Sequence, residues 1–335
     1  MSRYPLFDRS QLRLHPLHER CHDLAATVVM PLSPVPCEEE KLLRVGALLC
    51  TARQEKAAGI LMMGAHVLRK GCQQYIIDLM QKGFVTCLAV NGACAIHDYE
   101  LALAGGTTES VARYIRDGRF GLWEETGDLN NIVRDGARNG LGAGEAIGKA
   151  IAESSFPFKE TSVFAAAWEA GVPVTVHVGI GYDIVAEHPG YDGAAWGQAS
   201  YTDFLIFARE VSRLEGGVVM NFGSAVMAPE IFLKALAMVR NVCAQNGMAV
   251  AKFATLVCDL HTLPEDTHTE SPKDAAAYYY RPWKTMLVRT VADGGSGFYV
   301  RGDHADTIPQ LWSSVMCASR NASRGDIVTA PLGDV

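Results

Sequence analysis

The chain has 335 residues, enough for one large α/β domain or two smaller ones. Hydrophobic residues make up 49% and charged residues 20%, the balance of an ordinary globular protein, and the formal net charge is −7. With no basic stripe the chain does not read as a nucleic-acid binder, and no run approaches the ~18 apolar residues of a membrane span.

Residues 1–30 hold seven charged side chains and no apolar signal core, so the expected location is cytoplasmic by default. The nine cysteines are scattered without CxxC spacing and read as small core residues in a reducing compartment.

Residues 1–35 are polar and then proline-rich, and read as an N-terminal arm that packs on another surface. Residues 36–322 read as a single α/β domain and 323–335 as a C-terminal tail. Leu42, Leu43, Val45, Leu48 and Leu49 mark an amphipathic helix between residues 38 and 53. Gly59–Met63 is a candidate strand stopped by Gly64, and a helix is expected from His66 to Lys82.

Val85–Val90 is a second apolar run, closed by Asn91-Gly92, with a helix opening at Ile96-His97-Asp98. Strand, glycine loop and helix together form the unit with which open parallel sheets expose a ligand crevice. Free N–H groups at such a helix start favour an anion, for example a dinucleotide pyrophosphate. A further helix is expected over Thr107–Arg116, with Thr107 as its cap.

The run Gly140-Leu-Gly-Ala-Gly-Glu-Ala-Ile-Gly148 is not a dinucleotide fingerprint, because Ile147 stands where GxGxxG needs glycine and no strand precedes it. The second half repeats the grammar of the first. Strands are expected at 172–178, 217–221, 249–256, 286–291 and 298–300, and helices at 160–170, 201–214 and 229–245. Asp303-His304 starts a last helix. This alternation predicts a Rossmann-like doubly wound, mostly parallel sheet with helices on both faces.

Several residue groups have more than one chemical reading. Asp259, His261, Glu265, Asp266, His268 and Glu270 crowd one loop, but their spacing matches no metal-ligand pattern, so no metal is assigned. A solvated acidic loop, or carboxylates gathered around an amine, are the other readings. Asp98 can cap a helix or face a cofactor, and the pair Asp303-His304 has the same two readings. Asp183 either caps a turn or meets a ligand at the carboxyl end of a strand. Lys284, among Tyr278, Tyr279, Tyr280 and Trp283, is either a stacked cation or a desolvated amine able to attack a carbonyl or imine carbon.

The blocks Asn91-Gly-Ala93 with His97-Asp98, Pro173–Asp183, Gly216-Gly217 with Gly223-Ser224, and Trp283-Lys284 with Gly302-Asp303 resemble deoxyhypusine synthase, in the same order over residues 37–320. The Pro157–Ser162 and Val176–Ile184 blocks look closest to its deoxyhypusine synthase-like branch. The resemblance implies a homotetramer with NAD near active sites shared between subunits. It implies oxidation of spermidine and transfer of the aminobutyl group, through an imine on an enzyme lysine, to an acceptor amine. The acceptor would be a protein lysine or, as in homospermidine synthase relatives, putrescine.

Carried over, Lys284 would be the nucleophile, Trp283 the aromatic wall, and Asp183 with Asp274 the substrate carboxylates. His66, Asn91, Gly92, Ala93, Asp98, Gly223, Ser224, Asp303 and His304 would surround NAD. The chain departs from the family pattern in three places. The glycine between tryptophan and lysine is missing, residues 227–230 lack the family's two histidines, and Val178 stands for an aspartate. A non-catalytic NAD- or polyamine-binding homologue is the alternative these departures leave open, with a metal-dependent hydrolase a more distant one.

Overall fold

The computed structural model describes residues 3–323. Beyond Ser323, the expected C-terminal tail lies outside the described residues. Six strands form one parallel sheet: β1 (Gly59–Met63), β2 (Cys87–Asn91), β3 (Val174–His177), β4 (Val218–Phe222), β5 (Ala254–Asp259) and β6 (Ser296–Arg301). All five neighbouring pairs are parallel, and their spatial order is 3-2-1-4-5-6. That order defines a Rossmann-like doubly wound sheet, with a topological switch point between β1 and β4.

Side-chain alternation along the strands explains the two covered faces. Leu61, Met63, Met220 and Leu256 point into one core, with helices α1 (Glu40–Glu55), α2 (Gln73–Gln81) and α3 (Gly92–Ala104). Ile60, Met62, Val219 and Val257 point into the other, with residues of α7 (Gly193–Val211), α8 (Met227–Gln245) and α9 (Pro282–Arg289). Helices α4 (Asp128–Arg138), α5 (Ala143–Ala152), α6 (Val163–Ala170) and α10 (His304–Ser323) belong with the first face. Among the described residues, no helix is long and apolar enough to cross a membrane.

Several expected elements need correction, among them the helix over 201–214, which starts at Gly193, and the strand over 249–256, which runs over Ala254–Asp259. The run 286–291 is not a strand: Met286–Arg289 is the last part of α9, a helix of π type, and Thr290 and Val291 turn out of it. Parallel neighbours such as β5 and β6 require a crossover connection, and this helix supplies it, with Thr255 Oγ1 donating to the Met286 carbonyl at 2.9 Å. The helix expected over 66–82 is broken into His66–Arg69 and Gln73–Gln81. Gly71 sits between them at φ +77°, and a β-carbon there would lie 2.0 Å from the Val28 carbonyl oxygen of the arm. Only Val111–Tyr114 of the stretch 107–116 is helical, capped by Ser110, while Thr107 pairs with Leu24 in a short antiparallel ladder. Helix α3 starts at Gly92 rather than Ile96, because Asn91 Oδ1 accepts the Cys94 N–H at 3.2 Å.

The glycine-rich run before α5 has a packing reason. A β-carbon on Gly144 would stand 1.8 Å from the Val174 carbonyl oxygen, so only glycine lets α5 approach β3 so closely. Asp203 lies at the start of that helix and accepts the N–H groups of Gly144 at 3.0 Å and Val176 at 2.8 Å. The protein's own carboxylate therefore occupies the position a phosphate would favour.

Candidate functional site at the carboxyl edge of the sheet

The loops after β1 and β4 meet at the switch point. A β-carbon on Gly64 would be 2.6 Å from the Gly223 carbonyl oxygen. Gly223 has φ +66°, and its own β-carbon would be 2.4 Å from Nε2 of His304. The His304 ring meets Phe222 edge-on at 6.0 Å, and its Nδ1 is buried without a partner. Burial holds its pKa below the usual histidine value.

Asp303 beside it pairs with Lys70 at 2.5 Å and accepts the Ala305 N–H at 2.9 Å. Ser224 Oγ accepts the Ala228 N–H at 3.1 Å, supporting the first turn of α8. His66 stands exposed at the rim, its pKa lowered by partial burial and by Arg69 and Lys70. Five of the residues carried over for the cofactor, His66, Gly223, Ser224, Asp303 and His304, thus surround one point of the sheet.

Asn91, Gly92 and Ala93 form a second group one strand away, at the end of β2. Here Asp183 is the neighbour. A β-carbon at position 92 would lie 2.3 Å from Asp183 Oδ2, so the missing side chain makes room for the carboxylate. Asp183 is 8% exposed, and its Oδ2 has no hydrogen-bond partner. It does not cap the turn that follows it. Burial pushes its carboxyl up to about 6, against a smaller opposing effect of a backbone hydrogen bond from Gly179.

Asp98 belongs to neither group. Its carboxylate accepts the Ser162 hydroxyl and the N–H groups of Val163 at 2.8 Å and Phe164 at 3.4 Å, all at the start of α6. It acts there as a cap supplied by another helix. Burial nevertheless raises its carboxyl to about 6.

Asp183 and Ala93 open into a cavity of about 240 Å³, with Arg20, His97, Thr108 and Glu109 also in its wall. Arg20 comes from the arm and makes a bidentate, buried pair with Glu100, at 2.8 and 2.7 Å. Glu100 also accepts the hydroxyls of Thr107 and Thr126, both at 2.6 Å. Burial would raise the Glu100 carboxyl, but the Arg20 pair and these hydroxyls hold it below its ordinary value. Burial lowers His97 to about 4, and its Nδ1 lies 2.8 Å from Thr107 Oγ1. With Arg20 neutralised by Glu100 and His97 uncharged, Asp183 and Glu109 leave the cavity acidic.

Lys284 lies elsewhere, in the first turn of α9 over β5 and β6. Its Nζ sits 3.5 Å from the ring centroid of Tyr278, which is the aromatic face it meets. Trp283 is buried in the second core, with Nε1 donating to the Thr267 carbonyl at 3.1 Å. Asp274 is exposed on the loop after β5. Other carboxylates of that loop are engaged locally: Asp259 by the Tyr280 hydroxyl, Asp266 by the His268 N–H and Glu270 by Arg289. Three strand intervals separate β2 from β5, roughly 14 Å at ~4.8 Å each. Within one chain, Lys284 and Asp183 are therefore not brought together.

Sequence reasoning missed Arg20, Glu100, Thr108 and Glu109. Nothing local marks them, because the arm must first be laid against α3 before they share a wall. Asp203 was equally silent, since its partners are backbone N–H groups far along the chain.

The fold and site together define a Rossmann-like α/β protein with an acidic cavity at the carboxyl edge of its sheet. No protein-family model matches the chain, and no curated protein matches it. Among solved structures, a proposed LOR/SDH protein from Methanococcus maripaludis S2 is 15% identical with a TM-score of 0.48, over 86% of this chain and 73% of its own. AgrE in ternary complex with ornithine and NAD+ is 13% identical with a TM-score of 0.47, over 88% of this chain and 35% of its own. A proposed deoxyhypusine synthase from Entamoeba histolytica is 9% identical with a TM-score of 0.39, over 84% of this chain and 88% of its own. The chain spans about a third of the length of AgrE and of ArgZ, an arginine dihydrolase from cyanobacteria. At these values the likenesses are distant similarities of fold, and the assignment of this fold rests on the strand order itself.

Proposed function

We propose that the protein is an NAD-dependent enzyme of amine metabolism, of the deoxyhypusine synthase type, that binds a cationic polyamine such as spermidine. The observation that carries this reading is the unpartnered, buried oxygen of Asp183 in an acidic cavity at the carboxyl edge of the sheet. A buried carboxylate without a cation is costly, and a ligand ammonium relieves that cost.

The residues around the switch point fit NAD. The close-approach glycines Gly64 and Gly223 and the orphaned Nδ1 of His304 suit a ribose or phosphate group. NAD would supply a hydride acceptor there. Asp183 would hold one ammonium so that the neighbouring carbon faces the switch point one to two strands away. The oxidised carbon then needs an amine nucleophile, and Lys284 is the candidate. Because Lys284 and Asp183 are apart in one chain, this reading requires that the transfer run between subunits, as in the expected homotetramer, before the aminobutyl group passes to a small amine or a protein lysine.

Incubating the protein with spermidine and NAD, reducing with borohydride and mapping the adduct tests this reading. An adduct on Lys284, lost in Lys284→Ala, supports covalent transfer; turnover surviving in Lys284→Ala rejects it. A second reading, a polyamine-binding protein without turnover, is favoured by the seating of the Lys284 ammonium on Tyr278. Calorimetric binding of spermidine with no NADH fluorescence on prolonged incubation would select that reading.

A further inference from the structure

The wall of the Asp183 cavity contains a residue in a conformation that its type rarely adopts. Thr108 is β-branched, yet it has φ +61°. Such residues are genuine outliers outside glycine, and they persist where the surroundings over-determine them, often at ligand clamps. The surroundings here are the arm. Asp23 N–H donates to the Thr108 carbonyl at 3.1 Å, and Leu24 pairs with Thr107 in the short ladder. The hydroxyl of Thr108 is buried and has no partner, and the residue lines the same cavity as Asp183.

Glu109 follows directly. Its Oε1 accepts the Gly121 N–H at 3.0 Å and its Oε2 accepts the Trp123 indole N–H at 2.9 Å, so the carboxylate is fixed in place. Among the described residues no cation forms a salt bridge with it, and the cavity's arginine is bound to Glu100. The cavity therefore has two separate acidic points, Asp183 on the β3 side and Glu109 on the arm side. An ammonium group has three N–H donors. Thr108 Oγ1 and a carboxylate oxygen of Glu109 could accept two of them.

We propose that Thr108 and Glu109 form a second ammonium subsite, so that the cavity selects amines carrying two positive charges over those carrying one. The proposal rests on the amine reading of Asp183 and names two specificity residues for it. Asp183 holds one end of the ligand. The strained Thr108 hydroxyl and Glu109 hold the other, and the arm sets the distance between them.

Calorimetry with putrescine, which has two ammonium groups, and butylamine, which has the same carbon chain and one, separates the possibilities. Wild type is expected to bind putrescine at least about tenfold more tightly, the worth of a charge-assisted hydrogen bond. Thr108→Val and Glu109→Gln should each weaken putrescine far more than butylamine and so remove most of that preference, whereas Asp183→Asn should weaken both ligands. Thr108→Ser, which keeps the hydroxyl, should keep the preference. Thr108→Gly suits the backbone angle, and should fold and lose it. Equal losses for both amines in the Thr108 and Glu109 variants, or no loss, would overturn the second subsite while leaving Asp183 in place. If wild type binds neither amine, the amine reading of the cavity falls, and this subsite with it.

Discussion

Arg20 and Glu100 meet as a buried bidentate pair across 80 positions of sequence, with both side chains 1% exposed. Removing one partner of such a pair leaves the other charge buried and unpaired. Arg20→Met should therefore destabilise the fold by about 3–5 kcal/mol. Urea denaturation gives the measurement, and a loss under about 1 kcal/mol would show that the arm can be detached without harm.

Asp183 should make amine binding depend on pH. Its carboxyl titrates at about 6, and only the carboxylate attracts an ammonium. Affinity should rise as pH increases through about 6 and level off above it. In Asp183→Asn the affinity should be weaker by ~1–3 kcal/mol and flat over this range. A wild-type profile without that rise would separate Asp183 from binding.

The same residue gives a stability prediction of opposite sign. A carboxyl raised from an unfolded value near 3.9 to about 6 costs stability above the folded value. That cost fades as pH falls from about 6 to about 4. Asp183→Asn should accordingly raise the ligand-free stability at pH 7–8, by up to ~3 kcal/mol if the whole shift is relieved, with little change at pH 4. Thermal melts at the two pH values decide it, and an equal gain at both would point to a cause other than ionisation.

Asp98 separates structural from cofactor roles. It accepts three hydrogen bonds from the start of α6, so Asp98→Ala should cost about 1–2 kcal/mol, the worth of a helix cap. Affinity for NAD, measured by calorimetry on the folded variant, should stay unchanged. Loss of NAD affinity with stability intact would return Asp98 to the cofactor site.

Gly144 tests the reading of the glycine-rich run. Its β-carbon would stand 1.8 Å from a backbone oxygen of β3, so Gly144→Ala should lose about 3 kcal/mol or fail to fold. Wild-type melting in that variant would mean that α5 can shift away from the sheet.

The sheet was legible in the sequence because its strands are short apolar runs stopped by glycine or asparagine, as at Met63-Gly64 and Val90-Asn91. The loops at the switch point followed, since the carboxyl ends of strands are where the chain must turn. Apolar periodicity failed at Met286–Val291, because a short buried run is the same signal in a strand and in a buried helix. The break at Gly71 depended on a segment over forty positions earlier, which no local pattern reports. Asp98 reads as a cap of its own helix or, through the resemblance, as a cofactor contact, while its hydrogen bonds go to Ser162–Phe164. The acidic cavity escaped for the same reason, because its wall combines the arm, α3 and the loop after β3.

The arm also has a meaning for how the chain comes into being on the ribosome. Arg20 is synthesised long before Glu100, which pairs with its guanidinium, and before Thr107 and Thr126, which hold that carboxylate in place. During translation this charge has no partner until residue 100 has been made, so the arm can settle only after the segment that carries Glu100. A chaperone that holds the arm would leave the sheet free to form while keeping the acidic cavity without one of its walls.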